Sequence, residues 1–251
     1  MSGKTIKSSV TTMRVINGLK ELGGAKVTQL ADYLDLTKPT VHHHLSTLVQ
    51  EEYVVKEADT YYIGLRFLEL GELARDRFKI HKVAKPEVEK LAEQTGELAN
   101  VAVLEYGRVV YLYRARGSEA VNLDTYSGKR VQIHCTALGK AMLANLPQEQ
   151  VDEILAENEF QAETDATITK RDEFLAELEE VRQQGVAFDR EEAFSGLHCV
   201  AAPILDADGR AMGAISVSGP TSRLRGNQFS EDLPDMVTRA GNVIELNITY
   251  S

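Results

Sequence analysis

Two cysteines, Cys135 and Cys199, are all that 251 residues carry. That scarcity excludes the disulfide framework of a small secreted protein and leaves two thiols to be buried or used. Also missing is any run of about 18 apolar residues able to cross a bilayer. The opening residues, MSGKTIKSSV, contain no apolar stretch of the signal-peptide kind. The expectation is a cytoplasmic protein with no membrane partner. No internal repeat and no low-complexity segment interrupts the chain. What is there is 43% apolar content, enough to build cores for one large domain or two ordinary ones.

The net charge of −10 is unevenly spread. Residues 1–63 balance Lys4, Lys7, Arg14, Lys20, Lys26, Lys38 and Lys56 against Glu21, Asp32, Asp35, Glu51, Glu52, Glu57 and Asp59. The whole excess therefore lies downstream. A neutral first part and an acidic second part suit a DNA reader whose docking face is the only region that phosphate does not repel. An acidic surface adapted for solubility, as in a salty cytoplasm, accounts for the same distribution, and the two readings are compatible.

Periodicity predicts a helix over 9–21, with Val10, Met13, Ile16, Gly18 and Leu19 at helical spacing and Gly23-Gly24 ending it. A short second helix follows, with Thr28 as N-cap and Leu30, Ala31 and Leu34 on one side. A third opens with Thr37 as N-cap and Pro39 in the first turn, where its missing N–H costs little. Three short helices with a tight turn between the last two form a helix-turn-helix pattern. The β-prone segments Tyr53–Val55 and Tyr61–Ile63 flank residues 56–60 as a wing, and residues 65–79 read as one helix with Leu68, Gly71, Leu73 and Ala74 on or near one face, suited to dimer packing or to packing on its own chain. Beyond Val83 the expectation is α+β: helices over 86–95, 137–146, 171–184 and from about 230, with hairpin strands at 99–104 with 109–114 and at 200–205 with 211–217.

On the third helix, Val41, Leu45 and Leu48 recur on the inner side, leaving Pro39, Thr40, His43, Ser46 and Thr47 opposite. Recognition helices read bases from exposed N-terminal positions, while lysines and helix-terminal N–H groups hold phosphates. Lys38, Thr40, His43 and Thr47 are therefore expected in the groove together with Pro39, His42 as a further contact and Thr28 on the backbone. His44 falls at the core edge as a packing residue. The run His42-His43-His44 does not make a metal site, because neighbours on a helix diverge by about 100° whereas zinc wants i, i+4 pairs.

These residues carry a resemblance to the IclR family of bacterial and archaeal transcriptional regulators. It rests on "LADYLDLTKPTVHHHLSTLVQEEYV", "YIGLRFLELG", "IHCTALGKAMLA", "GVAFDREEAFSGLHCVAAPILDADG" and "GAISVSGPTSRL", in that order and spanning nearly the whole chain. The resemblance implies a winged helix-turn-helix at 1–63, a linker helix at 64–80 and a GAF-like effector-binding domain at 81–251. It also implies dimers or dimers of dimers on a palindromic operator in double-stranded DNA. The small-molecule effector would be an organic acid, a sugar-acid derivative or an aromatic compound, and the outcome repression or activation. The recognition helix departs from the Arg-rich ones common among such regulators, so no operator sequence carries over.

By the same resemblance, Thr136 and Ala137 at a helix start, with Asp189, Leu197, Cys199, Ser216 and Ser218, fall on effector positions. Free N–H groups at a helix start suit a carboxylate. Alternation along a strand puts Ser216 with Ser218, and Leu197 with Cys199, on shared faces. Two rival readings use the same region. A nucleophilic enzyme would draw on His134, Cys135, Asp189, His198 and Cys199, but in extended chain the neighbours His198 and Cys199 face opposite ways, and so do His134 and Cys135. A zinc sensor would use Cys199, Asp189 and one of His134, Cys135 or His198, without CxxC or HxxxH spacing to support it. No cofactor beyond the effector is expected.

Overall fold

A computed structural model describes residues 5–250, and the chain forms two compact units, one ending at Ala74 and the other beginning at Arg75. In the first, α1 (Lys7–Glu21), α2 (Val27–Leu34) and α3 (Lys38–Gln50) precede a hairpin of β1 (Val54–Glu57) and β2 (Thr60–Ile63). Val41, Leu45 and Leu48 point inward from α3, against Val15 and Leu19 of α1, Leu30 and Ala31 of α2, and Val54 and Tyr61 of the hairpin. Four expectations need correction. Val10 and Met13 lie on the outer side of α1, whose buried residues are Val15, Gly18 and Leu19. α2 starts at Val27, so Thr28 is inside the helix, and the Gln29 side chain accepts from the Lys26 N–H at 2.9 Å in place of a Thr28 cap. The wing is tighter than residues 56–60, since Glu57 pairs with Thr60 and only Ala58 and Asp59 turn. The helix expected over 65–79 is α4 (Arg66–Asp76), which breaks at Arg77 and Phe78.

No residue of α4 is buried within the chain; Leu68 is 60% exposed and Leu73 72%. Its first turn is fastened to the turn between α3 and β1, where Phe67 meets the Tyr53 ring at 5.1 Å and Arg66 donates to the Glu51 carbonyl at 2.6 Å.

The second unit has α5 (Lys79–Thr95), β3 (Leu98–Glu105), β4 (Arg108–Arg116), β5 (Arg130–Val131), α6 (Ala137–Leu143), α7 (Gln148–Glu157), α8 (Arg171–Gln184), β6 (Ala187–Arg190), β7 (Leu197–Leu205), β8 (Ala211–Pro220) and, after a π-helical turn at Gln228–Asp232, α9 (Leu233–Thr249). The expected start at Pro86 is overturned. Pro86 lies inside α5 on its exposed side, where the backbone bond it removes is nearest water. Likewise α6 ends at Leu143, and α7, β5 and β6 had no counterpart in the sequence reading. The six strands form one antiparallel sheet in the order β5-β4-β3-β8-β7-β6. Tyr106 and Gly107 turn β3 into β4 with φ of 50° and 65°, the left-handed pair that a two-residue hairpin demands.

Residues of α5 and α9 cover one face of the sheet through Val88, Leu91, Val237 and Ile244. On the other, α6, α7 and α8 pack through Ala141, Met142, Val151, Phe174 and Leu178. Gly139 lets α6 start hard against the preceding turn, since a Cβ there would sit 1.9 Å from the Ile133 carbonyl oxygen. The same helix carries a fully buried cation. Lys140 Nζ donates to Glu192 Oε1 at 2.6 Å and to Glu177 Oε1 at 2.9 Å. Glu192 in turn makes three further bonds to two segments, the end of β6 and the loop before α8: its N–H donates to Asp189 Oδ1 at 2.7 Å, its carboxylate accepts from the Arg190 N–H at 3.3 Å, and its carbonyl accepts from the Thr167 hydroxyl at 2.7 Å.

Removing one member of a buried ion pair strands the other's charge. Lys140→Ala is expected to cost about 3–5 kcal/mol in urea unfolding, and Glu177→Ala, at a partly exposed carboxylate, less. A loss from Lys140→Ala no greater than that from Glu177→Ala would refute the assignment of the burial cost to the Lys140–Glu192 pair.

Candidate functional site

Two surfaces have the geometry of sites. The first is the outer side of α3. Thr37 caps this helix by accepting from the Thr40 N–H at 3.3 Å, so the chain enters with Lys38 and Pro39 exposed at its first turn. Thr28, His42, His43, Ser46 and Thr47 are exposed as well. Thr40 is half-buried and its hydroxyl lies 2.8 Å from that of Thr37, so part of its hydrogen-bonding capacity is already engaged. His44 is half-buried with Nδ1 2.9 Å from the Thr12 hydroxyl, tying α3 to α1. The face of the reading helix thus consists of short polar and imidazole groups, with Lys38 as its cation.

The second site is a cavity of about 300 Å³ in the α+β unit, between the sheet and the start of α6. Its floor is built from cross-strand rows. Asp189 of β6 stands beside Cys199 of β7, which stands beside Ser218 of β8, and Ser218 is beside Leu98 of β3. One step along, Ser216 pairs with Asn100. Cys135, Thr136, Ala137 and Leu138 at the start of α6 form one wall, Ala193, Phe194 and Leu197 a second, and Leu123, Thr125 and Lys129 a third. All seven residues singled out from the sequence for effector contact line this one cavity. Unforeseen were Arg108, Lys129 and Arg130, together with Tyr111, Thr125 and Asn100. Asn100 had a usable signal, being the one polar residue in Leu98-Ala99-Asn100-Val101-Ala102, a segment otherwise apolar enough for a central strand. The α6 start is as expected: the helix begins at Ala137 with Thr136 as cap, whose hydroxyl oxygen accepts from Gly139 N–H, and a turn precedes it.

The electrostatics of the cavity are set by burial. Asp189 is 1% exposed, and desolvation pushes its carboxyl up to about 7, against the N–H bonds it accepts from Glu192 and Ala193. Burial, reinforced by Asp189, raises the Cys199 thiol well above its ordinary range, and Cys135 is pushed up to about 12 for the same reasons. Neither thiol is available as a thiolate near neutral pH. Arg108 is half-buried and donates to the Gln132 side-chain oxygen, a neutral partner.

The rival chemistries find no support. His198 points to the other face of the sheet, stacked on Phe229 at 4.3 Å, with Nδ1 2.8 Å from the Leu224 carbonyl oxygen. His134 Nε2 lies 3.0 Å from the Gln161 carbonyl oxygen, and burial lowers its pKa. Among the described residues no three His, Cys, Asp or Glu side chains gather as metal ligands would, and no helix is long and apolar enough to cross a membrane.

A winged helix-turn-helix followed by an α+β unit enclosing a polar cavity defines a DNA-binding transcriptional regulator with an effector-binding domain. The comparisons make the class specific. Residues 12–58 match the IclR helix-turn-helix domain, and residues 73–245 match "Bacterial transcriptional regulator IclR C-terminal". The chain belongs to the IclR family. The "Probable HTH-type transcriptional regulator ArcR" of Halobacterium salinarum is 32% identical over 249 residues, covering 98% of this chain and 95% of that one. The HTH-type transcriptional regulator KdgR of Dickeya chrysanthemi is 31% identical, covering 95% and 79%. The crystal structure of the Thermotoga maritima IclR, 24% identical, shares the fold with a TM-score of 0.80 over 97% of this chain and 99% of that one. These relatives are named as regulators and not as enzymes.

The raised pKa of Asp189 has a stability consequence whose sign is fixed. The folded chain binds this proton more tightly than the unfolded chain, so stability falls as pH rises from about 4 to about 7 and levels off above that. Asp189→Asn removes this dependence. Relative to the parent, the variant is expected to gain on the order of 4 kcal/mol in unfolding free energy between pH 4 and pH 8. A constant difference across that range would show that Asp189 titrates normally.

Proposed function

We infer that this protein is a sequence-specific regulator whose affinity for a palindromic operator is set by an organic or sugar acid bound in the cavity of the α+β unit. The observation that carries the effector reading is Arg108. Arg108, Lys129 and Arg130 line the cavity together with Glu163; Lys129 and Arg130 are paired with Asp124 and Glu105, whereas no carboxylate pairs with Arg108 among the described residues. A half-buried cation with only a neutral partner favours an anion. α6 is only seven residues long, so the countercharge comes from Arg108 more than from its dipole. Asp189, with its carboxyl raised to about 7 by burial, is about half protonated at neutral pH and in that form presents a hydrogen-bond donor in place of a repelling carboxylate.

On the DNA side, the exposed set Thr28, Lys38, Pro39, His42, His43 and Thr47, with half-buried Thr40, supports a reading face inserted in the major groove. Self-association places two such faces on a two-fold site. Leu65, Leu68 and Leu73, exposed at and along the α4 linker helix, together with Ile6 just before α1 and Val10 and Met13 of α1, are apolar surface suited to a second copy. Effector occupancy then changes operator affinity by favouring one arrangement of the paired reading heads.

Binding measured by fluorescence anisotropy should show a salt-sensitive preference for the protein's own upstream region over random DNA. Equal affinity for both rejects the reading. His43→Ala or Thr40→Ala is expected to reduce sequence preference by about 1–3 kcal/mol without lowering the thermal midpoint. Unchanged preference in both would disprove the face assignment. For the cavity, small carboxylates are screened by thermal shift. Asp189→Ala or Cys199→Ser is expected to change the shift and the effector response while operator binding without effector stays within twofold. An unaltered response in both variants means the effector binds elsewhere.

A further inference from the structure

The segment between α7 and α8, residues 158–170, forms neither helix nor strand, and it reaches the cavity with one side chain, the exposed Glu163. Between Phe160 and Ile168 its only apolar side chains are Ala162 and Ala166, so apolar burial does little to hold it. What holds it is polar. Thr164 Oγ1 donates to the Glu191 carbonyl oxygen at 2.7 Å, and Thr167 Oγ1 to the Glu192 carbonyl oxygen at 2.7 Å. The Thr167 hydroxyl oxygen also accepts from the Glu163 and Thr164 N–H groups at 3.1 and 2.9 Å, which fixes Glu163 beside this latch. On the other side of Glu163, the Gln161 carbonyl oxygen lies 3.0 Å from His134 Nε2. A carbonyl can only accept, so Nε2 carries the imidazole proton, and the buried Nδ1 has no partner.

Each fixing joins the segment to a residue next to a cavity wall. Cys135, 2% exposed, follows His134, and Ala193 follows Glu192. The catch is stiff. Glu191 stands at φ 66°, a left-handed backbone that a residue with a side chain keeps only when its surroundings impose it, and its carboxylate accepts from the Gly196 N–H at 2.7 Å. The segment itself is not stiff, because water replaces hydroxyl bonds at small net cost when the chain lifts. In place, Glu163 sets a negative charge at the cavity rim and forms no ion pair among the described residues. That charge opposes an entering carboxylate.

We propose that residues 158–170 are a gate over the cavity, latched by Thr164 and Thr167 on the Glu191–Glu192 backbone. When the gate lifts, it bares the wall at Cys135 and carries the Glu163 charge out of the path of an entering acid. This rests on the reading of the cavity as the effector site. Opening is a local event within a folded α+β unit, distinct from unfolding of the sheet.

The two cysteines supply the probe. Cys135 is buried and protonated when the gate is shut, so its alkylation reports opening. The full chain is treated with iodoacetamide and, separately, with iodoacetate, a carboxylate of similar size, and Cys135 is followed by peptide mass spectrometry at increasing urea. Hydrogen exchange of the β7 and β8 amides is followed alongside. In the parent, Cys135 alkylation should be independent of urea at low concentration, while β7 and β8 exchange rises steeply. Replacing the latch, Thr164→Val with Thr167→Val, should speed alkylation by both reagents at least tenfold without urea. Cys135 alkylation as steeply urea-dependent as β7 and β8 exchange means that the segment leaves only when the whole unit unfolds, and overturns the gate; this arm uses the parent and stands even if the variant folds poorly. Unchanged alkylation in a folded variant overturns it too. Faster iodoacetamide with unchanged iodoacetate shows an opening that does not admit acids, and equally overturns it. None of these measurements needs the effector, so failure of the gate leaves the effector reading untouched, whereas an effector that binds elsewhere leaves the alkylation rates as they are.

Discussion

The α+β unit turns on one buried ion pair, Lys140 with Glu192. Lys140 rises from the middle of α6, the helix whose first residues wall the cavity, and Glu192 lies between Asp189 and the cavity residues Ala193 and Phe194. Burying two charges is costly unless the remaining donors and acceptors are matched. Here Glu177, Thr167 and the backbone around Asp189 supply most of the matches, leaving Glu192 Oε2 alone unsatisfied. The pair therefore fixes the start of α6 relative to the edge of the sheet. Effector contacts drawn from both elements can form at once only if that spacing is held.

The same constraint gives Asp189 its character. Its carboxyl is held by backbone N–H groups of the loop that Glu192 anchors, and burial raises it to about 7, so that it is about half protonated at neutral pH. Burial thus reduces the charge that Asp189 presents to the cavity, and the nearby thiols are kept protonated by the same exclusion of water. The cavity therefore presents Cys, Asp and Ser with its thiols protonated, which accords with relatives named as regulators.

Much of this was legible beforehand where a local rule sufficed. Val41, Leu45 and Leu48 repeat at i, i+4 and i+7, and Thr37 with Pro39 announces a helix start, so the inner and outer sides of α3 followed from periodicity alone. Alternation placed Ser216 with Ser218 on one strand face and separated His198 from Cys199. Failures came where tertiary packing overrode a local signal. Pro86 is an ordinary reason to begin a helix, but α5 buries Ile80, His81 and Ala84 ahead of it, and that burial carries the helix through. Val10 and Met13 share a helical period with the core, yet they are 45% and 58% exposed.

The sequence by itself determined the reading helix, the hairpin turns, the family and, through the family's motifs, seven residues of the cavity. It determined these because helical and strand periods and capping are short-range, and because motifs preserve their order along the chain. Only the tertiary structure decided that Asp189, Cys199, Ser218 and Leu98 stand in one row, that Asn100 meets Ser216 across it, and that Arg108 and Thr125 close over the same space. The register of β3 against β8 brings together residues more than a hundred positions apart, and no local pattern encodes which of them will meet.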